Sequence, residues 1–362
     1  MNILSIKASN ILDSRGNWTV EVNLQTAQGL FKDSAPSGAS TGKYEAATVD
    51  PEKAVKNINE LIAPKLRGRK VLDQQEIDNF LNPEKFGSNA TTPLSMAACR
   101  AGAASQDMQL WQYINKLCGE QSANLPGLSF NMINGGAHAS NGLDFQEFMV
   151  VCSLKKASEI YQDLRKKLGK NVGDEGGFAP DLKSAEEALE LLSQYNVNII
   201  IDVAASQFSE EKKKAYNLDY FQQLVGKYPI IGLEDPFSEE DWLSFQEITA
   251  KLHRKITVVG DDLLATNPQR IKRAGQEKAC NGLLLKINQI GTVTRALEAF
   301  RLAKSFGWKI MVSHRSGETN DDFIADFAVG IGADFIKTGA PARGERVAKY
   351  NRLLRIEKES KL

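Results

Sequence analysis

The hydrophobic positions of this chain change their period along its length. Residues 1–30 alternate as strands do, with Trp18, Val20, Val22 and Leu24 on one side and Thr19, Glu21 and Asn23 on the other. Asp13-Ser14-Arg15-Gly16-Asn17 reads as the turn before that run, so two antiparallel strands are predicted. From about Pro51 to Leu117 the spacing becomes helical, as in Ala54, Ile58, Leu61 and Ile62. Beyond residue 196 a third pattern repeats, a short apolar run that stops on an ionisable residue. Ile199-Ile200-Ile201 stops at Asp202, Ile230 through Leu233 at Glu234-Asp235, and Ile256 through Gly260 at Asp261-Asp262. Leu283-Leu284-Leu285 stops at Lys286, Ile310 through Ser313 at His314-Arg315, and Phe335-Ile336 at Lys337. The runs recur every 23 to 32 residues or so, which is one strand, one helix and two loops of a parallel α/β array.

Helices are predicted between these runs, at about 238–252, 267–275, 292–306, 321–329 and 342–358. Another follows Ser184, where Ser184-x-x-Glu187 has the form of a capping box and Ala185, Ala188, Leu189 and Leu192 make one stripe. The predicted fold class is α/β: a small α+β domain over residues 1–124, then, from Leu125-Pro126, a (β/α)8 barrel over 125–362. The C-terminal strand ends of such a barrel share one rim, so the acids, the lysines and the His-Arg pair would face one pocket.

Composition narrows the function classes. Lys+Arg and Asp+Glu both number 45 in the 362 residues, so no net charge points to nucleic acid or a membrane surface. The run Lys212-Lys213-Lys214 follows Glu210-Glu211 and reads as a solvated helix face. Cys99, Cys118, Cys152 and Cys280 lack metal-ligand spacing and read as thiols of a reducing compartment. The first residues lack a signal-peptide pattern and no run approaches the ~18 apolar residues of a membrane span, so a cytoplasmic location is expected.

Asp202, Glu234 and Asp261 end three consecutive strands. Three carboxylates at close range repel, and an all-oxygen set with open positions suits Mg2+ better than zinc or copper. Any one of them alone reads equally well as the cap of the next helix. Lys286, on an apolar strand beside other cations, is a candidate base whose pKa would have to fall to roughly 7–8. Arg315 and Ser316, in Ser313-His314-Arg315-Ser316-Gly317, suit a cluster of phosphate or carboxylate oxygens, although alone they read equally as a solvent-facing turn. Small-residue loops at 36–42, 134–141 and 171–177 carry Ser40, His138 and Glu175; each could be an ordinary turn or wrap a ligand. Gln146-Glu147 opens a further strand-like stretch.

These strings together resemble the enolase family. They are Leu12 through Asn17, Ser37 through Gly42, Asn134 through Ala139, Gln146 through Met149, Asn171 through Pro180, Glu234-Asp235-Pro236, Gly260 through Leu263, Leu284 through Thr292, Ser313 through Thr319 and Lys337 through Arg343. The resemblance runs the full length. It implies a modified, TIM-like barrel and reversible dehydration of 2-phosphoglycerate to phosphoenolpyruvate, with two Mg2+ per site, the second arriving with substrate. Asp202, Glu234 and Asp261 would hold the first and Ser40 would ligate the second. Lys286 would take the α-proton, and Glu175, with Glu147 beside it and His314 in the same pocket, would help the hydroxyl leave. Lys337 would pair with the substrate carboxylate, Arg315 and Ser316 would hold its phosphate, and His138 and Gln146 would line the site. Departures include a shorter chain, Trp18 for a proline and Gln207 for a glutamate. Of the family's inter-subunit Arg–Glu pairs, Glu21 and Arg355 retain one, whereas Ser9 and Lys358 break the other, so a weakened or altered homodimer is expected. The competing readings are another acid-sugar dehydratase or epimerase, and a catalytically weakened protein kept for binding.

Overall fold

The computed structural model describes residues 1–38, 42–119 and 123–360. The amino-terminal part is a meander of three antiparallel strands, β1 (Ile3–Leu12), β2 (Trp18–Thr26) and β3 (Gly29–Ser34), rather than the two strands predicted. Residues 29–34 lack an alternating pattern of their own and become a strand by pairing with β2 from Glu21↔Ser34 to Thr26↔Gly29. Val20, Val22 and Leu24 are fully buried, against Ile58, Ile62, Leu94 and Ala97 among others. Trp18 does not join them: it starts the strand opposite exposed Leu12 and is itself 63% exposed. Leu61 also faces out, because residues Asn57–Ile62 form a π-helical turn in which Ala63 N–H reaches back to Ile58 O. The wider turn brings Ile62, not Leu61, onto the core.

The remaining strands close into an eight-stranded barrel. They are β4 (Gly127–Asn134), β5 (Glu147–Val151), β6 (Asn198–Asp202), β7 (Ile230–Glu234), β8 (Thr257–Gly260), β9 (Gly282–Leu285), β10 (Lys309–Ser313) and β11 (Phe335–Lys337). All neighbours are parallel except those of β5, which runs against both β4 and β6. Helices Trp242–Leu252, Pro268–Glu277, Val293–Ser305, Phe323–Gly330 and Gly344–Ser360 occupy the predicted stretches. The first begins four residues late because Asp241 accepts from Ser244 N–H and caps it there. Ser184 caps its helix, but Glu187 accepts from Lys183 N–H instead of closing the box on Ser184. Among the described residues no helix is long and apolar enough to cross a membrane. Cys99, Cys118 and Cys280 are buried, and Cys152 is half-buried.

A layer of Met149, Ile200, Val259, Leu284 and Met311 fills the barrel interior, with Phe335 packed against it. Strand side chains alternate, so the residue two positions on faces the same interior. From Ile200, Val259, Leu284, Met311 and Phe335 that residue is Asp202, Asp261, Lys286, Ser313 and Lys337. On the reversed strand β5 the rim lies toward the amino terminus, and two residues before Met149 is Glu147. The apolar plug therefore aims Glu147, Asp202, Asp261, Lys286 and Lys337 at one rim.

Candidate active site

One cavity at that rim is lined by Glu45, His138, Gln146, Glu147, Glu175, Asp202, Asp261, Asp262, Lys286, His314, Arg315, Ser316 and Lys337, with other residues. Every site residue expected from sequence is here except Glu234, which lies beneath it bonded to Lys337, and Ser40, which lies outside the described residues. Strand register sets the acids side by side: Glu147 opposes Asp202, and Asp202 opposes Glu234.

Two ammonium groups divide the three strand-end acids. Lys337 Nζ donates to Asp202 Oδ2 at 2.8 Å and to both Glu234 oxygens at 2.9 Å, and lies 3.3 Å from Glu147 Oε1. Lys286 Nζ donates to Asp261 Oδ2 at 2.6 Å. Burial and then Asp202 push the Glu234 carboxyl well above the ordinary range even though Lys337 opposes the shift. One lysine is thus too little positive charge for this set. All-carboxylate donors with a charge deficit fit a hard divalent cation. Among the described residues, acid oxygens of Asp235, Asp261 and Asp262 already converge within 4.8 Å, and so do a ring nitrogen of His138 and oxygens of Glu147 and Glu175. Asp235 is tied up locally, since its oxygens accept from the Asp261 and Asp262 N–H groups at 2.9 and 2.6 Å. It shapes the strand end that presents Asp261.

Lys286 departs from expectation. Burial lowers its pKa, but the Asp261 carboxylate outweighs burial and the nearby Arg315 and Lys337, so the ammonium ends above its ordinary value. A drop into the range of a base requires Asp261 to be engaged elsewhere.

Across the site Glu175 sits in a glycine turn. Gly176 takes φ +85°, and a Cβ on Gly177 would come within 2.6 Å of Asn134 Oδ1, so the turn packs tightly only without side chains. Glu175 Oε2 accepts from Asn131 at 3.2 Å and lies 3.2 Å from His314 Nε2. His138 Nδ1 approaches Glu147 at 3.5 Å and Glu175 at 3.7 Å. Burial pushes His314 down to about 4, and the Arg346 guanidinium adds to the fall. Geometry agrees, because Arg346 Nη1 donates to His314 Nδ1 at 2.6 Å, leaving Nε2 to carry the only ring proton. A neutral His314 supports the Glu175 carboxylate by a polar contact rather than by a full charge. Burial raises Glu175, yet the contacts of His314 and His138 and the Arg346 guanidinium draw it below the ordinary range, the guanidinium supplying the full charge that a neutral His314 lacks. Glu147 goes the other way, pushed well up by burial and by Glu175. The two carboxyls are thus pushed in opposite directions, Glu147 up and Glu175 down.

Three contributors were not anticipated. Arg346 is fully buried and donates to Arg315 O, Ser316 O and Asp174 O, fastening two site loops to each other. It had a signal, because Arg346, Tyr350, Leu353 and Ile356 share the buried face of the last helix, and a charge on an apolar stripe has work to do. Gln289, which donates to Asp261 Oδ1 at 3.2 Å, and Glu45, which grips Arg315, lie in short polar segments without a periodic signal.

Comparison with known proteins agrees with this geometry. Residues 3–114 match the family described as enolase, N-terminal domain, and residues 122–221 and 218–361 match enolase, C-terminal TIM barrel domain. An enolase of Eimeria tenella is 44% identical over 425 aligned positions covering 99% of this chain and 96% of that protein. Enolase B of Dictyostelium discoideum is 46% identical and an enolase of Mastigamoeba balamuthi 45%, each over 99% of this chain and 95% of the relative. Those 425 positions exceed the 362 residues here, so the Eimeria relative carries internal segments with no counterpart in this chain. A barrel with β5 reversed, a rim of acids and lysines and full-length identity near 45% have one meaning: the chain belongs to the enolase family.

Proposed function

We propose that this chain is a working enolase, catalysing the reversible, Mg2+-dependent dehydration of 2-phosphoglycerate to phosphoenolpyruvate. The observation that carries the reading is the pairing of Lys286 with the Asp261 carboxylate at 2.6 Å, in one cavity with Glu147, Glu175 and His314 across the site. Asp202, Glu234 and Asp261 would hold one Mg2+, and a second would arrive with substrate, with Ser40 among its ligands. Bound Mg2+ supplies the positive charge that stabilises the substrate carboxylate as the α-proton leaves. Lys286, whose ammonium meets Asp261 at 2.6 Å, would be the base that takes that proton. Glu175, with Glu147 beside it, would act as the acid that protonates the departing β-hydroxyl. Lys337 balances the substrate carboxylate, Arg315 and Ser316 hold the phosphate, and His138, Gln146 and His314 fix the closing wall.

Base and acid separate experimentally, because loss of the α-proton precedes loss of the hydroxyl. Lys286→Ala is expected to lose both turnover and exchange of the α-proton with solvent deuterium. Glu175→Gln is expected to lose turnover and keep exchange, followed by NMR of 2-phosphoglycerate. Exchange surviving in Lys286→Ala but absent from Glu175→Gln would reverse the two assignments.

A further inference from the structure

Arg315, the proposed phosphate holder, is gripped by a carboxylate of its own chain. Its Nη1 donates to Glu45 Oε2 at 2.8 Å and its Nη2 to Glu45 Oε1 at 3.1 Å, a two-pronged pair in which both side chains are almost wholly buried. Glu45 Oε1 also accepts from Gly42 N–H at 3.0 Å and from Gln289 at 3.4 Å. A carboxylate in a guanidinium fork has the planar shape and donor demand of a phosphate edge. We propose that Glu45 is a built-in occupant of the phosphate subsite, which the substrate's phosphate must displace.

Charge supports displacement over sharing. A phosphate brings about −1.5 to −2 charges, and the guanidinium already lies in the field of Asp261 and Asp262 as well as Glu45. Adding that charge beside an ionised Glu45 sets like charges together in a buried site, so one anion leaves. The phosphate's extra charge and acceptor oxygens favour it. The backbone cannot follow Glu45 out. On one side Tyr44 stacks under the Arg270 guanidinium, 3.8 Å from the ring centre, and bonds to Glu240. On the other, Ala46 N–H donates to Gln289 O and Ser88 N–H to Ala47 O, both at 2.8 Å. The exchange is therefore a rotation of one side chain about a pinned backbone, and the rotation also releases Gly42 N–H.

The inference rests on Arg315 holding phosphate, and binding of inorganic phosphate tests it without turnover. By calorimetry, Glu45→Gln is expected to bind inorganic phosphate about tenfold more tightly than the unaltered chain, or ~1.4 kcal/mol. The KM for 2-phosphoglycerate is expected to fall with it. Glu45→Asp, a shorter carboxylate that keeps the charge, is expected to bind phosphate with intermediate affinity and serves if the glutamine variant does not fold. Weaker phosphate binding in Glu45→Gln, or affinity unchanged in both variants, would overturn displacement and make Glu45 a mere brace for Arg315. Failure of the proposed function would look different: the unaltered chain would not turn over 2-phosphoglycerate, while the phosphate titrations would still rank the three proteins.

Discussion

Replacing Lys337 by methionine keeps the length of the side chain and removes its charge. The ammonium lies within 3.3 Å of three buried acids, Asp202, Glu234 and Glu147. Breaking a buried ion pair from one side costs about 3–5 kcal/mol, because the partner is left charged and dry. At about 2.1 cal/mol/K per residue, unfolding 362 residues releases roughly 0.8 kcal/mol/K, so the loss is ~4–7 °C in melting temperature. Its sign with pH follows from the shifts. Burial lowers the Lys337 pKa, but Asp202, Glu147 and Glu234 raise it further, well above lysine's ordinary value, so its stabilisation is complete at neutral pH and fades only above the ordinary lysine range. Glu147 and Glu234 are raised, chiefly by burial, so their cost appears as pH climbs past the ordinary carboxyl range, and without Lys337 they rise further. Destabilisation of the variant is therefore expected to be greater at pH 8 than at pH 5. Calorimetric melting in EDTA and in Mg2+ reads both effects, with Mg2+ restoring more to the variant than it adds to the unaltered chain. A variant that melts within about 1 °C of the parent in EDTA at pH 8 would refute the argument that this ammonium holds the acids together.

Other outcomes are as direct. His314, depressed to about 4 by burial, must gain a proton on unfolding, so stability is complete above 6.5 and falls as pH drops toward 4 by roughly 3 kcal/mol; His314→Gln is expected to flatten that part of a stability-versus-pH curve, and an unchanged slope would mean the ring is not buried neutral. Arg346→Leu removes the guanidinium from three loop carbonyls and His314 Nδ1, and a loss of about 3 kcal/mol or more by denaturant unfolding is expected; under ~1 kcal/mol would show the loops hold themselves. Glu21 ion-pairs within its own chain, to Lys32 at 3.3 Å, and exposed pairs are worth about 0–1 kcal/mol, so a dimer weaker than is usual for the family is expected by sedimentation across concentrations. A tight dimer at nanomolar concentration would count against it.

Much of this was legible because the site hangs on strand ends. Asp202, Asp261, Lys286 and Lys337 each stand two residues beyond an apolar plug residue, and alternation alone turns them inward. Glu147 was harder, since its strand is reversed and the acid precedes the apolar run; only the family resemblance gave it a role. Contacts between distant segments left no periodic trace. Glu45 meets Arg315 across 270 positions, and nothing near residue 45 announces it. The π-turn that exposes Leu61 and the pairing that makes β3 a strand are also decided by tertiary packing rather than by local pattern. The partner of Lys286 was hidden for a related reason: the carboxylate that holds its ammonium above the ordinary value stands 25 positions away, on another strand end.

The barrel closes where its last strand, β11, pairs with its first, β4. During synthesis, Asp202 and Glu234 emerge from the ribosome 135 and 103 residues ahead of Lys337, the ammonium that bonds to both. Until β11 arrives, β4 and β10 are open edges and the acids face one another without their lysine. A nascent chain halted before residue 335 is thus both an unclosed sheet and an electrostatically unbalanced one. Closure and the arrival of the lysine are one event, and quality control that senses exposed strand edges would also be sensing an unfinished active site.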